Sequence, residues 1–191
     1  MKQIYWDAVE ISNHKFFFTM TQDGVNFVSS PESYLSEIFD FYPDDHFNYQ
    51  FKHDETVTAD VKRQFEHYLT GKRETFDVKL DLTVGTAFQH EIWQVVSKIP
   101  YGTTMTYAEV AKKVNRPRAA RAVGHALALN PVLILIPCHR VILSNGDLGR
   151  YRGGTDSKKE LLRIEKSVVA KKATTKKLVL PRISQLGKSD L

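Results

Sequence analysis

The sequence predicts a mixed α/β (α+β) protein, with a small N-terminal domain of β-sheet and helices followed by a mostly helical C-terminal domain. Three observations support this division. The 191 residues allow one domain or two small ones. All eleven phenylalanines lie at or before Phe88. The charge also changes along the chain: residues 1–84 carry 8 basic and 15 acidic side chains, residues 85–165 carry 12 and 6, and residues 166–191 carry 7 and 1.

The first residues are dominated by extended apolar segments with short turns between them. Asn13 and the pair Asp23 and Gly24 are residue types that turns prefer. A short helix follows, because Leu35, Ile38 and Phe39 fall on one helical face. The segments predicted to be strands are residues 4–11, 14–21 and 24–29, and the predicted helix is residues 33–41.

A second N-terminal helix is predicted over residues 58–69, and Gly71 follows its end. Its apolar stripe consists of Val61, Phe65, Tyr68 and Leu69. Residues 76–82 alternate apolar and polar side chains, which is typical of a half-buried strand. Residues 83–85 are the candidate linker. Because no group of polar residues in this half suggests chemistry, we interpret the half as a scaffold.

The C-terminal half begins with a predicted helix over residues 87–99, which ends at the Pro-Tyr-Gly sequence of residues 100–102. Its apolar stripe consists of Phe88, Ile92, Val95, Val96 and Ile99. Thr106 and Glu109 then match a capping box, in which a hydroxyl caps the helix start and a carboxylate three residues later binds back. This pattern predicts a short helix that ends at about Val114.

A further helix is predicted from Pro117 to about Leu129, after the break at residues 115–117. Two short helices joined by a tight break are the outline of a helix-turn-helix. The second helix places small residues around the long side chain of Arg121. Such a surface allows close approach to a narrow groove, and the alternative is close packing inside the protein. The small residues are Ala119, Ala120, Ala122 and Gly124.

The single cysteine, Cys138, is the candidate nucleophile, and the alternative is a small buried apolar side chain. A thiol with a pKa of about 8.5 needs a nearby base or cation to become reactive. His139 and Arg140 supply both types. Because neighbours in an extended strand face opposite sides, His139 can help only where the chain turns or a water bridges the two. The candidates for an orienting carboxylate are Asp147, Asp156, Glu160 and Glu165.

Several classes of protein and site are excluded or disfavoured. One cysteine excludes an intramolecular disulfide and a multi-cysteine zinc site. The longest apolar run, residues 132–136, is far shorter than the roughly 20 residues that span a bilayer. The first ten residues contain no apolar signal core, so we expect a cytoplasmic protein. His46 and His53 form no convincing ligand pattern, and no phosphate-binding or dinucleotide motif is present, so we expect no metal and no cofactor.

The basic residues of the second half favour a polyanionic partner, of which nucleic acid is the usual one. The alternative is a solvated charged face. The lysine-rich residues 167–191 are predicted to be mostly disordered. They would either add attraction to phosphates or form a flexible, solubilising end.

An ordered set of short motifs extends over about residues 85–166. The motifs are Pro100-Tyr101-Gly102, Thr106-Tyr107, Arg121-Ala122-Val123-Gly124, Asn130-Pro131, Ile136-Pro137-Cys138-His139-Arg140-Val141-Ile142, Gly146, Tyr151, Gly153-Gly154, and Lys158 through Leu162 to Glu165. A Pro-Cys-His-Arg sequence alone would be a weak signal. The ordered set resembles the O6-alkylguanine-DNA alkyltransferases, also called methylated-DNA–protein-cysteine methyltransferases. The N-terminal half matches that family only in size and position.

The resemblance implies a specific chemistry. Members of the family move an alkyl group from O6 of guanine, and we expect also from O4 of thymine, to their own cysteine. The thioether is stable, so each molecule acts once. Cys138 would be the acceptor, and Glu165 would orient His139, which would deprotonate the thiol through a water. Asn130 would brace the turn that holds the cysteine. Tyr107 would help to rotate the target nucleotide and would give a proton to the leaving guanine.

The resemblance also implies a winged-helix-like DNA-binding domain that carries the reactive cysteine. The second helix would enter the minor groove, and Arg121 would fill the space left by a flipped nucleotide. The other DNA-binding residues would be Tyr107, Ala119, Ala120, Ala122, Gly124 and Ser144. The substrate pocket would consist of Leu133, Val141, Tyr151, Arg152 and Gly153. Arg150, Arg152 and Leu133 depart from common forms of the family, which bears on how well bulky adducts fit.

The implied organisation is a scaffold domain in residues 1–83, an alkyltransferase domain in residues 84–166 and a tail in residues 167–191. The chain resembles the zinc-free, single-function form, with no cofactor. Its partner would be alkylated double-stranded DNA. We expect a monomer with no membrane and no obligatory protein partner.

Three other functions stay open on sequence alone. A non-catalytic sensor of alkylated DNA is one, although relatives of that type replace the cysteine and this chain keeps Cys138. A helix-turn-helix regulator is another; it would need neither Cys138 nor Glu165 and would favour long polar residues over alanines. A cysteine hydrolase is the third, and it would turn over without DNA.

Overall fold

The computed structural model describes residues 2–11, 14–31, 34–42 and 48–179. The predicted mixed α/β class is confirmed, with a sheet in the first half and helices in the second. The strands are β1 (Lys2–Ile11), β2 (His14–Thr21), β3 (Gly24–Val28), β4 (Tyr49–His53), β5 (Met105–Thr106) and β6 (Val141–Ile142). The helices are α1 (Ser36–Phe41), α2 (Glu55–Leu69), α3 (Ala87–Val96), α4 (Tyr107–Lys113), α5 (Ala120–Ala128) and α6 (Thr155–Val179). Asn13, Ser33 and His46 lie outside the described residues.

The N-terminal sheet has the strand order β3-β2-β1-β4. Strand β2 pairs antiparallel with β1 and β3, whereas β1 pairs parallel with β4. Alternate residues of a strand share one face, so Phe16 and Phe18 both reach α2. The Phe65 ring centroid lies 5.4 Å from that of Phe16 and 5.7 Å from that of Phe18. The predicted stripe of α2 is confirmed, because Val61, Phe65 and Tyr68 are buried.

The strand predicted over residues 76–82 is wrong. Only Leu80 forms a bridge, and its partner is Val25 of β3. The Val25 N–H donates to the carbonyl of Lys79, and the Asp81 N–H donates to the carbonyl of Val25, both at 2.9 Å. Phe76 and the other apolar residues of the segment are partly buried. The alternation of apolar and polar residues therefore arises because one side of an extended segment is partly buried, and the segment does not pair as a full strand.

Two further N-terminal features differ from the expectations. Strand β4 has no counterpart among the predicted strands, and its mostly exposed side chains explain the weak signal. Helix α1 buries Ile38, while Phe39 on the predicted apolar face is 41% exposed. Apolar spacing thus marks α1 correctly as a helix but overstates how much of it packs.

Helices α3, α4 and α5 pack on one another in the C-terminal half. The predicted capping box is confirmed: the Thr106 hydroxyl accepts from the Glu109 N–H, and the Glu109 side chain accepts from the Thr106 N–H. Helix α5 begins at Ala120 and not at Pro117, because a turn over residues 116–119 precedes it. No helix in the described part of the chain combines the length and apolar character needed to cross a membrane.

The two halves share one hydrophobic core. The Val28 N–H of β3 donates to the carbonyl of Pro131 at 2.9 Å, and Val28 also bridges to Val132. Buried residues from β2, α2, α3 and α5 belong to the same cluster. The first half therefore packs directly against the loop that leads to Cys138.

The predicted disorder of the tail is wrong as far as the end of α6. Alanine and lysine favour helix, and the helix packs on the first half. A Cβ on Gly71 would lie 2.7 Å from a methyl of Val168, and the Lys172 ammonium lies 2.8 Å from the Glu74 carboxylate. Residues 180–191 lie outside the described residues.

Candidate active site

Cys138 lies in a one-turn 3₁₀ helix, Cys138–Arg140, directly after Pro137. Both Cys138 and His139 are buried. The chain therefore turns at Cys138, which is one of the two conditions under which His139 could help the thiol. The preceding loop holds Ile134 at φ 72°, a left-handed conformation that is strained for a β-branched residue. Such strain persists only where neighbouring contacts fix the backbone.

Asn130 supplies those contacts. Its Nδ2 donates to the carbonyl of Ile136 at 3.0 Å and to Sγ of Cys138 at 3.2 Å. Its Oδ1 accepts from the N–H of Val132 at 3.1 Å. The amide is fully buried. One side chain therefore joins both ends of the strained loop to the sulfur.

The carboxylate of Glu165, on α6, is the centre of a second buried network. His139 Nε2 lies 2.7 Å from Oε1, and the Tyr68 hydroxyl donates to the same oxygen at 2.5 Å. Arg140 Nε donates to both oxygens at 3.1 Å, and the Gly102 N–H donates to Oε2 at 2.8 Å. The carboxylate thus has a donor on every side and is held in one orientation.

The charges of this network follow from its contacts. Burial raises the pKa of Glu165. The hydrogen bond from His139, the charge that His139 carries once it is protonated in acid, and the charge of Arg140 outweigh burial and bring that pKa to about 2. Burial lowers the pKa of His139, so its ring is neutral at neutral pH. An ionised carboxylate only accepts, so Nε2 carries the ring proton and Nδ1 carries the lone pair. That Nδ1 is buried and has no hydrogen-bond partner among the described residues.

The sulfur of Cys138 rests as a thiol. Burial raises its pKa, against the hydrogen bond from Asn130 and the positive charges of Arg152 and Lys158. Arg140, which the sequence suggests as the activating cation, binds Glu165 instead. The site therefore holds a protonated sulfur, followed in the chain by a neutral histidine, and not a preformed thiolate.

A cavity of about 680 Å³ opens onto Cys138. Helix α5 forms one wall, and the loop between β6 and α6 forms the other. The structure brings eight of the predicted site residues to this cavity: Tyr107, Ala120, Arg121, Gly124, Cys138, Ser144, Tyr151 and Arg152.

Helix α5 has an inner and an outer face. Val123 is buried in the core, whereas Arg121 and Ala122 are exposed. Gly124 faces the ring of Tyr107, where a Cβ would lie 3.7 Å from the ring. Ala119 is the residue that precedes the helix. Small residues therefore serve internal packing on one face and leave an open surface on the other.

Three predicted pocket residues do not line this cavity. Leu133 lines a second cavity, of about 390 Å³, which shares Tyr151 with the first. Val141 is buried, and its carbonyl accepts from Lys158 Nζ at 2.6 Å. Gly153 packs on Tyr151, where a Cβ would lie 2.5 Å from the ring. Of the three, Gly153 alone is seen to pack against a residue of the Cys138 cavity.

Arg152 fixes the cavity wall to the first half of the chain. Its guanidinium donates to the Glu37 carboxylate at 3.0 Å and to the carbonyl of Val28 at 2.6 Å. It also donates to the carbonyl of Pro131 at 3.3 Å. The loop that carries Arg152 is therefore held by α1 and β3.

The first half, which we interpret as a scaffold, also contributes Tyr68 and Glu37 to the surroundings of Cys138. The apolar stripe of α2 correctly predicts that Tyr68 is buried, but no sequence pattern shows what its hydroxyl meets. Lys158 belongs to the motif set without an assigned role. Its ammonium is buried, and burial lowers its pKa to about 8.

Comparisons with known proteins identify the family of the chain. The family described as "6-O-methylguanine DNA methyltransferase, DNA binding domain" matches residues 87–167. The inducible methylated-DNA–protein-cysteine methyltransferase of Bacillus subtilis strain 168 is 37% identical over 163 residues, which are 85% of this chain and 90% of that protein. The methylated-DNA–protein-cysteine methyltransferase of Methanosarcina acetivorans is 47% identical over 113 residues, which are 59% of this chain and 72% of that protein.

Solved structures give the same assignment. The crystal structure of Mycobacterium tuberculosis OGT in complex with DNA has a TM-score of 0.74 and 32% identity, and the match covers 86% of this chain and 94% of that chain. An O6-methylguanine-DNA methyltransferase from Pyrococcus kodakaraensis shares the fold, with a TM-score of 0.64 and 21% identity over 85% and 98% of the two chains. The chain belongs to the methylated-DNA–protein-cysteine methyltransferase family.

Proposed function

We propose that this protein repairs DNA by transferring a methyl or other alkyl group from O6 of guanine, and from O4 of thymine, to Sγ of its own Cys138. The observation that carries the proposal is a buried thiol that is followed in the chain by an oriented histidine. Asn130 donates to the sulfur of Cys138, and Glu165 orients His139, the next residue. Family membership independently supports the reaction type.

The proposed transfer moves one alkyl group and two protons. The thiol proton of Cys138 passes through a bridging water to Nδ1 of His139, which carries the lone pair. The sulfur then bonds to the alkyl carbon, and the carbon–oxygen bond to the base breaks. Its electron pair stays with the base, whose ring takes a proton from Tyr107. Burial raises the pKa of Tyr107, so its hydroxyl is protonated at rest and able to donate. The product is a thioether, so each molecule reacts once.

The proposed DNA-binding surface is the outer face of α5 with the rim of the Cys138 cavity. Its small residues allow close approach to the minor groove, and the cavity would receive a nucleotide rotated out of the helix. Arg121 is exposed at the cavity and would occupy the vacated place in the stack. Ala119, Ala120, Ala122, Gly124 and Ser144 would contact the DNA around it.

The substrate pocket, the cellular compartment, the oligomeric state and the domain organisation are also proposals. Tyr151 and Arg152 would shape the substrate pocket from its wall, with Leu133, Val141 and Gly153 behind them. A free thiol acceptor needs a reducing compartment, which favours the cytoplasm. We also propose a monomer, with residues 1–83 and 84–166 as its two domains.

The test is the mass of the protein after reaction with duplex DNA that carries one O6-methylguanine. We expect one added methyl group per molecule, on the peptide that contains Cys138, and restored guanine in the DNA. Cys138→Ala should bind the same DNA and gain no methyl group. Tight binding by the natural chain without a mass change would instead support the sensor function, and methyl transfer to Cys138→Ala would refute the assigned acceptor.

A second experiment tests the DNA-binding surface. Arg121→Ala should slow repair of duplex DNA about 10-fold or more, since an unfilled stack costs a few kcal/mol. Reaction with the free base O6-methylguanine should not change. Arg118→Ala is the matched control, because Arg118 is exposed in the same segment but does not line the cavity. Equal losses on both substrates would contradict the stacking role of Arg121.

A further inference from the structure

One tyrosine of the N-terminal domain reaches the network around Cys138. Tyr68 lies on α2 and is 1% exposed. Its hydroxyl donates to Glu165 Oε1 at 2.5 Å and accepts from Arg140 Nη2 at 3.1 Å. The oxygen that it binds is the same one that accepts from His139.

The ring and the hydroxyl of Tyr68 have separable roles. The ring packs against Phe76, with centroids 4.8 Å apart, and edge-on against Tyr101, with centroids 5.5 Å apart. A phenylalanine would keep both contacts. Within the described residues, the polar contacts of the hydroxyl are those to Glu165 and Arg140. Burial, with the negative charge of Glu165, raises the pKa of Tyr68 well above its usual value, so the hydroxyl remains a donor.

We propose that Tyr68 is a positioning residue for the proton transfer at Cys138, acting from the N-terminal domain through Glu165 on His139. This inference rests on the proposed function. Three donors, from His139, Tyr68 and Arg140, share one carboxylate oxygen. Each donor spreads the negative charge and weakens the carboxylate as a base. The proton that His139 accepts is then held on the imidazole, and Glu165 keeps the ring in one orientation.

The charge on Glu165 determines whether the pKa of His139 rises or falls when the Tyr68 hydroxyl is removed. Without the Tyr68 hydroxyl, Glu165 concentrates more negative charge beside His139 and stabilises the imidazolium. The pKa of His139 then rises, and the neutral base needed for transfer is lost at a higher pH. The other ionisable groups that face the pair are unchanged in the variant: Arg140 beside Glu165, Lys158 on α6, Tyr101, Tyr151 and Cys138.

The experiment compares Tyr68→Phe with Tyr101→Phe in the full-length chain. Tyr101 packs on Tyr68 and has a buried hydroxyl without a hydrogen-bond partner among the described residues, so its variant removes a hydroxyl from the same cluster without touching Glu165. Single-turnover methyl transfer from O6-methylguanine DNA is measured from pH 5 to 9. We expect the acid limb of Tyr68→Phe to move to higher pH and its rate at the acid end to fall several-fold. Tyr101→Phe should keep the natural profile.

A second readout does not depend on transfer. The pKa of His139 is measured by NMR of histidine-labelled protein, with His139→Gln to assign its signal, and it should be higher in Tyr68→Phe than in the natural chain. An unchanged profile and an unchanged His139 pKa in a folded Tyr68→Phe would overturn the inference. Failure of the natural chain to transfer methyl groups would overturn the proposed function instead, and the His139 titration would still decide the inference.

Discussion

Each half of the molecule holds a buried carboxylate beside a histidine, and only one pair has the surroundings of a reactive site. In the first half, Asp7 of β1 accepts from Thr58 at 2.8 Å and from Lys62 at 3.1 Å. His53 Nε2 lies 3.4 Å from the same carboxylate. In the second half, Glu165 binds His139 in a fully buried contact. The residue types are similar, and the difference lies in what surrounds each histidine.

The His53 side chain is 44% exposed, whereas that of His139 is fully buried. Water therefore solvates His53, and the single cysteine of the chain, Cys138, belongs to the other half. His139 follows Cys138 in one turn, and its buried Nδ1 has no hydrogen-bond partner in the part of the chain that the structure describes. A histidine–carboxylate pair thus becomes a candidate proton acceptor when it is shielded from water and its second nitrogen is kept free beside a nucleophile.

The Asp7 pair also resembles a metal site, since Asp7, His53 and Glu55 can place one ligand atom each within 4.8 Å of one another. The Lys62 ammonium already binds Asp7 at 3.1 Å and would oppose a second cation there. Together with Thr58, these contacts join β1, β4 and α2. We interpret the Asp7 network as a structural link between the sheet and its helix.

The largest expected effect is a difference in methyl-transfer rate between variants of the two carboxylates. Glu165→Gln should slow methyl transfer about 100-fold or more, which is the usual scale for losing a general base or its orienting group. Asp7→Asn should leave the rate within about two-fold, because Asp7 does not contact the cavity at Cys138. The measurement is the single-turnover rate on O6-methylguanine DNA at pH 7.5. Similar losses of rate in both variants would contradict the difference in function that we infer between Glu165 and Asp7.

Much of this contrast could be predicted from the sequence. The ordered motifs identify Cys138, His139 and Glu165, because these residues lie in one half and their order is specific. The capping box at Thr106 and the stripe of α2 are local patterns, and both predictions are confirmed.

The contributions of the first half could not be predicted in the same way. Tyr68 reaches Glu165 across 97 positions of sequence, and Glu37 reaches Arg152 across 115. Local periodicity tells which face of a helix is buried but not which polar group it meets there. The strand expected over residues 76–82 fails for a related reason, because alternation records burial and pairing depends on a distant partner strand.

The smaller expected effect concerns stability in acid. The pKa of Glu165 is about 2 in the folded protein, below the usual value of about 4.3, and the pKa of Asp7 is also lowered. Carboxylates with depressed pKa values stabilise the fold above their unfolded-state pKa, and that stability is lost as pH falls toward the folded-state value. The free energy of unfolding should therefore decrease from about pH 4 toward pH 2.

The free energy of unfolding in urea, measured at pH 6 and at pH 3, compares the contributions of Glu165 and Asp7 to stability. At pH 6, Glu165→Gln should cost about 3–5 kcal/mol, because it leaves the buried Arg140 guanidinium without its counter-charge. Asp7→Asn should cost about 1–3 kcal/mol, the usual scale for weakening the hydrogen bonds of a buried acceptor, since Lys62 is partly solvated. Both variants should lose less stability than the natural chain between the two pH values. A larger loss for Asp7→Asn at pH 6 would mean that the first half, and not the site at Cys138, contains the more tightly coupled carboxylate.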